Sequence, residues 1–236
     1  MVVIGGWAVV EIASWPDVAA LARTNPGTTA FIERYGAQQR AAGQSDRVAW
    51  RWVSDASISP HLKRAAVSAE DMEFFSHDGF STTEIKTALR EALWEREAPR
   101  GASTITQQLA KNLWLSPSRS PLRKLRELIL TRQLERSLTK RRILEIYLNV
   151  VEFGPGVYGA EAAGQRYFGK PAASLTEHEA AQLVAGLPRP DRWHPGVESS
   201  AYWSYVEEIE ARMERADFLW RHVGGAPVAP VVADSF

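Results

Sequence analysis

Three short stretches of the sequence carry side chains able to do chemistry, and each has a different character. The first is EDMEFFSHDGF, from Glu70 to Phe80. Phe74 and Phe75 would set an apolar wall beside Glu70. Such a wall disfavours the charged carboxylate, raises its pKa and makes it a general base or acid near neutral pH. The alternative is a helix C-terminus whose acids face water while the phenylalanines fill the core. The second is GASTITQQLAKN, residues 101–112. On a helix, Thr104, Gln108, Lys111 and Asn112 fall on one face, beside an apolar stripe of Ile105, Leu109 and Leu113. Hydroxyl, amide and ammonium groups in a row suit sugar hydroxyls and phosphate oxygens; a solvated face is the competing reading. The third is RKLRE, where Arg123 and Lys124 share a helix face with Glu127. This is either a surface ion pair worth about 0.3–0.5 kcal/mol or a carboxylate held between two cations beside a phosphate group.

Other chemistry is missing. The chain has no cysteine, which excludes disulfides, a thiol nucleophile and Cys-ligated zinc. His77 is alone in its neighbourhood and reads as a structural histidine. His61, His178, His194 and His222 show no metal-ligand spacing, and there is no P-loop, G-x-S-x-G or dinucleotide fingerprint.

The elements that must position these residues read as a succession of helices. Ser59-Pro60 and Ser120-Pro121 each put a capping serine before a proline at the first helical position. Ser81 with Glu84, and Thr176 with Glu179, match the capping box. Residues 82–97 carry Ile85, Ala88, Leu89, Ala92 and Leu93 at helical spacing. Residues 121–138 carry Leu122, Leu125, Ile129 and Leu138 in a similar stripe. Val206, Ile209, Met213, Ala216 and Trp220 repeat the pattern before Gly224 and Gly225 stop it. The best strand candidate is Val48 to Val53. The glycine-containing breaks at Gly101 and at FGPGVYG, residues 153–159, are expected to let loops approach a ligand closely.

At 236 residues, with 45% hydrophobic and 24% charged residues, the chain is an ordinary folded protein of one large or two small domains. Its formal net charge is zero, so bulk attraction to nucleic acid is not indicated. The charge is unevenly placed. From Lys111 to Arg142 there are ten Lys or Arg and only Glu127 and Glu135 as acids, a local +8. That run is either a solvated helix face or a site for a polyanion or an anionic membrane surface. The first ten residues, MVVIGGWAVV, are apolar but too few to span a membrane, which takes about 20, and they lack the basic flank and cleavage site of a signal peptide. They read as a buried helix start or as the trailing end of a membrane anchor, with Trp7 and Trp15 at an interface. The tail GGAPVAPVVADSF is expected to be loose.

Together, and in this order, EDMEFFSHDGF, GASTITQQLAKNLWL, RKLRE, KRRILEIYLN and EFGPGVYGAEAAGQRYFGK resemble the peptidoglycan glycosyltransferase family, over about residues 59–190. Only a short tail follows, without a penicillin-binding transpeptidase domain, so the likeness is to the monofunctional members. The resemblance implies a mainly α, lysozyme-like helical domain with a large lobe and a small membrane-facing jaw. It implies residues 55–222 as that domain, 1–54 as an N-terminal segment that includes the end of an anchor, and 223–236 as the tail. The implied activity is inverting polymerisation of lipid II onto a growing glycan strand, releasing undecaprenyl diphosphate. Glu70 matches the catalytic base and Glu127 the second essential glutamate. Asp71, Phe74, His77, Ser103, Thr104, Gln108, Lys111, Asn112, Arg123 and Lys124 match substrate-binding positions. A divalent cation, magnesium or manganese, is implied as a helper. So are the membrane surface and cell-wall-synthesis proteins such as transpeptidases as partners, at the inner membrane with the catalytic domain on its periplasmic face. Two rivals differ in chemistry. A lytic enzyme cutting the same polymer needs two carboxyls across the bond, yet its product has no diphosphate for the basic cluster to hold. A non-catalytic scaffold would have no need of both Glu70 and Glu127.

Overall fold

A computed structural model of the chain describes residues 15–80, 103–117 and 120–225. The expected helix over 82–97, the Ser81–Glu84 capping box, Gly101, the first fourteen residues and most of the tail lie outside these.

The described chain is mainly helical, as the sequence implies. Helix α1 (Ala30–Ala41) starts at Thr29, whose side chain accepts from the Ile32 N–H. Helix α2 (Pro60–Glu70) starts at Ser59 with proline in the first turn. Ser120 caps α4 (Pro121–Ser137) in the same manner. Helix α3 (Ile105–Trp114) opens with a full capping box between Thr104 and Gln107. Helix α5 (Lys140–Val150) is capped by Thr139, and α6 (Ala160–Phe168) ends on a left-handed Gly169. The Thr176–Glu179 box opens α7 (Glu177–Gly186) as expected. Helix α8 (Ser200–Glu214) and the short α9 (Trp220–Val223) complete the order. Each cap satisfies an amide that the helix itself leaves unpaired.

Helix α2 is the hub. Leu62, Ala65, Ala66 and Val67 are fully buried along it, and it packs against α7 and α8. A second group forms where α3 packs against α4 and α5, through Ile105, Leu109, Leu130, Leu134, Ile143 and Tyr147. Val206, Ile209, Met213, Ala216 and Trp220 are buried, as their spacing predicts, although the α-helix breaks after Glu214 and a 3-10 turn, Asp217–Leu219, leads into Trp220.

The expected strand at 48–53 shortens to β1 (Ala49–Trp50). It pairs parallel with β3 (Val157–Tyr158), which pairs antiparallel with β2 (Glu152–Gly154). The glycines of FGPGVYG therefore serve packing within the protein. Gly159 has φ +80°, and a Cβ there would sit 2.6 Å from the Asn149 carbonyl oxygen. The close approach expected toward a ligand is an approach of the hairpin to α5.

Candidate active site

Glu70 is the last residue of α2, so the buried face of that helix sets where its half-buried side chain points. Its Oε2 accepts from Gln108 Nε2 at 2.6 Å. Burial pushes the Glu70 pKa above the ordinary carboxylate value. The Gln108 hydrogen bond and the Lys111 and Arg212 charges pull the other way, and the Asp71 charge adds to the rise. This is the environment of a proton acceptor. The Glu70 charge also acts on two buried phenols, Tyr147 and Tyr205. Phe74 is fully buried, edge-on to Phe75 and beneath the Lys140 ammonium, 4.6 Å from the ring centroid. Phe75 stacks on His222 at 4.4 Å.

Asp71 points elsewhere. Its Oδ2 accepts from the Ile105 N–H, at the first turn of α3, at 3.1 Å. A carboxylate there also complements the helix dipole. His77 Nε2 lies 3.0 and 3.1 Å from the two Asp71 oxygens. The Gly79 N–H donates to His77 Nδ1 at 2.9 Å. Nδ1 thus holds a lone pair, and the ring proton on Nε2 donates to Asp71. Thr104 Oγ1 donates to the Gly79 carbonyl at 2.8 Å. Gly79 itself has φ +95°, and a Cβ would meet Thr131 Cγ2 at 2.8 Å. Asp71, His77 and Thr104 thus bind the 71–79 loop to the start of α3.

The polar face of α3 divides in two. Thr104 and Asn112 are buried and turned to internal partners. Asn112 Nδ2 donates to the Gln108 backbone carbonyl at 2.8 Å, one turn back. Ser103 offers its carbonyl to Gln108 Nε2 at 3.4 Å. Gln108 and Lys111 reach the site. Burial lowers the Lys111 pKa most; Glu127 and Glu70 raise it, and Arg123 and Lys124 lower it further. Its ammonium therefore sits in the fields of both glutamates.

Glu127 comes from α4 and is buried. Arg123 Nη1 donates to its Oε2 at 2.6 Å, and Lys124 Nζ to its Oε1 at 2.5 Å. Burial of the carboxylate removes the surface ion-pair reading of this cluster. The Nε of Arg123 is buried without a hydrogen-bond partner, a spare donor beside the pair. The apolar stripe expected on α4 faces the other way from a core. Leu122, Leu125 and Ile129 are 58%, 53% and 41% exposed, and of the expected stripe only Leu138, just past the helix, is buried, together with Glu127, Leu130, Thr131 and Leu134. Apolar residues occur on both faces of this helix, so their spacing alone did not decide which one packs.

Among the described residues no three His, Asp or Glu side chains converge as a metal cage. The Asp71 and Glu127 oxygens are already taken by His77, Ile105, Arg123 and Lys124. Three residues near Glu70 escaped the sequence reading: Tyr147, Tyr205 and Arg212. Tyr147 stands inside the KRRILEIYLN motif and was legible as part of it. Arg212 donates to the Ala69 carbonyl at 3.2 Å from 143 positions away, and no local signal marks it.

A family model described as Transglycosylase matches residues 37–215. A biosynthetic peptidoglycan transglycosylase of Thiobacillus denitrificans is 44% identical over 188 residues, covering 80% of this chain and 78% of the relative. One of the same name from Azoarcus sp. is 46% identical over 213 residues, covering 89% and 88%. One from Laribacter hongkongensis is 46% identical over 166 residues, covering 70% and 73%.

Proposed function

The chain belongs to the transglycosylase family of peptidoglycan synthesis, and from that premise we propose that Glu70 is the base of its transfer reaction and that Lys111, Arg123 and Lys124 receive the leaving diphosphate. The protein is a glycosyltransferase that polymerises lipid II into glycan strands. In the proposed step a Glu70 carboxylate oxygen takes the proton of the acceptor 4-hydroxyl. That oxygen bonds to the anomeric carbon of the growing strand. The bond from that carbon to the diphosphate oxygen breaks, and undecaprenyl diphosphate leaves with the electron pair. One displacement inverts the anomeric centre and gives a β-1,4 link.

The observation that carries this reading is the unlike treatment of the two glutamates. Glu70 is desolvated and meets one amide, so it is free to take a proton. Glu127 has a cation on each oxygen. It serves by holding Arg123 and Lys124 in place, and Lys111 feels the charge of both carboxylates. Fixed cations aimed at a developing diphosphate lower the barrier because they need no reorganisation. A lytic enzyme would need the second carboxyl to act as acid, base or nucleophile at the sugar, whereas Glu127 is ion-paired with a cation through each oxygen. The described residues build no three-ligand cage of His, Asp or Glu for magnesium or manganese.

The exposed leucines of α4, with Arg123, Lys124 and Arg132 on the same helix, support a jaw that lies against an anionic bilayer. That placement fits a lipid-linked substrate at the periplasmic face of the inner membrane, where transpeptidases would take the strands onward. Among the described residues no helix is long and apolar enough to cross a membrane. The deciding experiment is incubation with fluorescent lipid II, resolving products on a gel. A ladder that vanishes in Glu70→Gln supports the assignment. A full ladder from that variant sinks Glu70 as the base, and shortening of purified sacculi would favour the lytic reading.

A further inference from the structure

Tyr147 lies on α5 with its side chain fully buried. Its hydroxyl donates to Gln108 Oε1 at 2.9 Å. The other end of that amide faces two acceptors, Glu70 Oε2 at 2.6 Å and the Ser103 carbonyl at 3.4 Å. A side-chain amide has nearly the same shape either way round, so its partners decide its orientation. Two acceptors at one end require the NH2 group there. The carbonyl end then needs a donor, and Tyr147 supplies it. Turned over, the amide would press its oxygen against a carboxylate and a carbonyl.

We propose that Tyr147 is a positioning residue for the transfer: by donating to Gln108 it holds the amide with its NH2 toward Glu70, and so keeps that carboxylate in its proton-accepting form. This rests on Glu70 being the base. The phenol suits the task, because burial and the nearby Glu70 and Asp71 charges hold it in the protonated, donating state throughout the working range. The other groups facing Glu70 are Lys111 on α3, Arg212 and Tyr205 on α8, and Asp71 beside it in the chain. None of these hydrogen-bonds the Gln108 amide, so Glu70 and Ser103 at one end and Tyr147 at the other set its orientation. The competing view is a core tyrosine whose hydroxyl merely found an acceptor. The two views differ in what they do to Glu70.

The test is Tyr147→Phe in the full chain, read in two ways. The first is the pH profile of kcat/KM on lipid II. The second is the titration midpoint of the Glu70 carboxyl in substrate-free protein, followed by carbon NMR and assigned with Glu70→Gln. Losing the hydroxyl leaves the carbonyl end of the amide without its donor, so the amide is no longer held in line, its donation to the carboxylate weakens and the Glu70 midpoint rises. The expected rise is about half a pH unit or more, or roughly a threefold loss of kcat/KM on the acid limb, since one unit is tenfold. At high pH, where Glu70 is ionised regardless, the variant should approach wild type. A uniform loss at every pH with an unmoved carboxyl midpoint overturns the proposal. A midpoint that moves while the kinetic limb stays put supports the relay and overturns Glu70 as base. Should the phenylalanine variant fold poorly, 3-fluorotyrosine at position 147 keeps the ring and makes the hydroxyl a stronger donor. It should lower the Glu70 midpoint, and no movement in that folded protein also overturns the proposal.

Discussion

His77 and Asp71 face each other with the imidazole Nε2 3.0 and 3.1 Å from the two carboxylate oxygens. Asp71 follows Glu70 directly in the chain, yet the two carboxylates do opposite work. Asp71 is spent on the His77 ring and on the Ile105 N–H. It joins the end of α2 to the start of α3, and those two helices carry Glu70, Gln108 and Lys111.

Asp71→Ala should therefore act through stability first. It strips a buried helix-start amide and a buried ring N–H of their acceptor, at about 1–3 kcal/mol each. Denaturant unfolding should show a loss within that range or above, and lipid II turnover should fall as α3 loses its register with α2. Asp71→Asn keeps one acceptor oxygen and should recover part of both. A variant with wild-type stability and no activity would move Asp71 from a positioning role to direct contact with substrate.

Glu70→Gln should behave in the opposite manner. The folded-state pKa of Glu70 is raised, so the folded state holds its proton at pH values where the unfolded chain has released it. Stability from this group falls as pH climbs from the ordinary carboxylate value through the raised one. A glutamine removes that loss. Thermal unfolding at neutral pH should give a Tm equal to wild type or higher, with turnover down about a hundredfold or more. A clear drop in Tm would mean that the carboxylate stabilises the fold, contrary to its desolvated setting.

Much of this arrangement could be read from the residues. Caps and proline starts located α2, α4 and α7, because a helix end is a local event with a local solution. Glu70, Gln108, Lys111 and Glu127 were visible as chemistry held in three motifs. What the residues alone did not show was the partner each side chain finds elsewhere in the fold. Phe74 and Phe75 stand close to Glu70 in sequence, and the fold brings Lys140 and His222 against them. Thr104 and Asn112 share the polar face of α3 with Gln108, but the Gly79 carbonyl and the helix backbone claim them. On α4 the buried face holds Glu127 and Thr131 beside Leu130 and Leu134, while Leu122, Leu125 and Leu128 face out, a division that makes sense only beside Arg123, Lys124 and the neighbouring helices.

The base limb of the pH profile should belong to Lys111. Burial lowers its pKa, so its charge is lost at lower pH than that of an exposed lysine. If the cation receives the diphosphate, kcat/KM should fall as pH rises through that lowered value. Lys111→Arg keeps a cation at all accessible pH values and should carry the plateau to higher pH, even if its height drops. Lys111→Ala should lower turnover across the range and weaken inhibitors that mimic a diphosphate. Identical base limbs in the lysine and arginine proteins would remove Lys111 from the diphosphate site.

The outward face of α4 makes the last prediction. Leu125 and Ile129 lie one turn apart and are both substantially exposed, so neither contributes much to the core and both can be changed without opening it. Burying two such side chains in a bilayer interface removes apolar surface worth roughly 25 cal/mol per Å². Replacing both by glutamate forfeits that gain and adds repulsion from anionic lipid. Leu125→Glu with Ile129→Glu should reduce binding to vesicles of anionic phospholipid by about tenfold or more, with an unchanged Tm. Turnover of lipid II in detergent should survive, because the buried Glu127 holds Arg123 and Lys124 in place without help from Leu125 or Ile129. Should turnover in detergent fall as far as vesicle binding, these residues would be gripping the lipid tail of the substrate, and the jaw would contact the substrate rather than the bilayer.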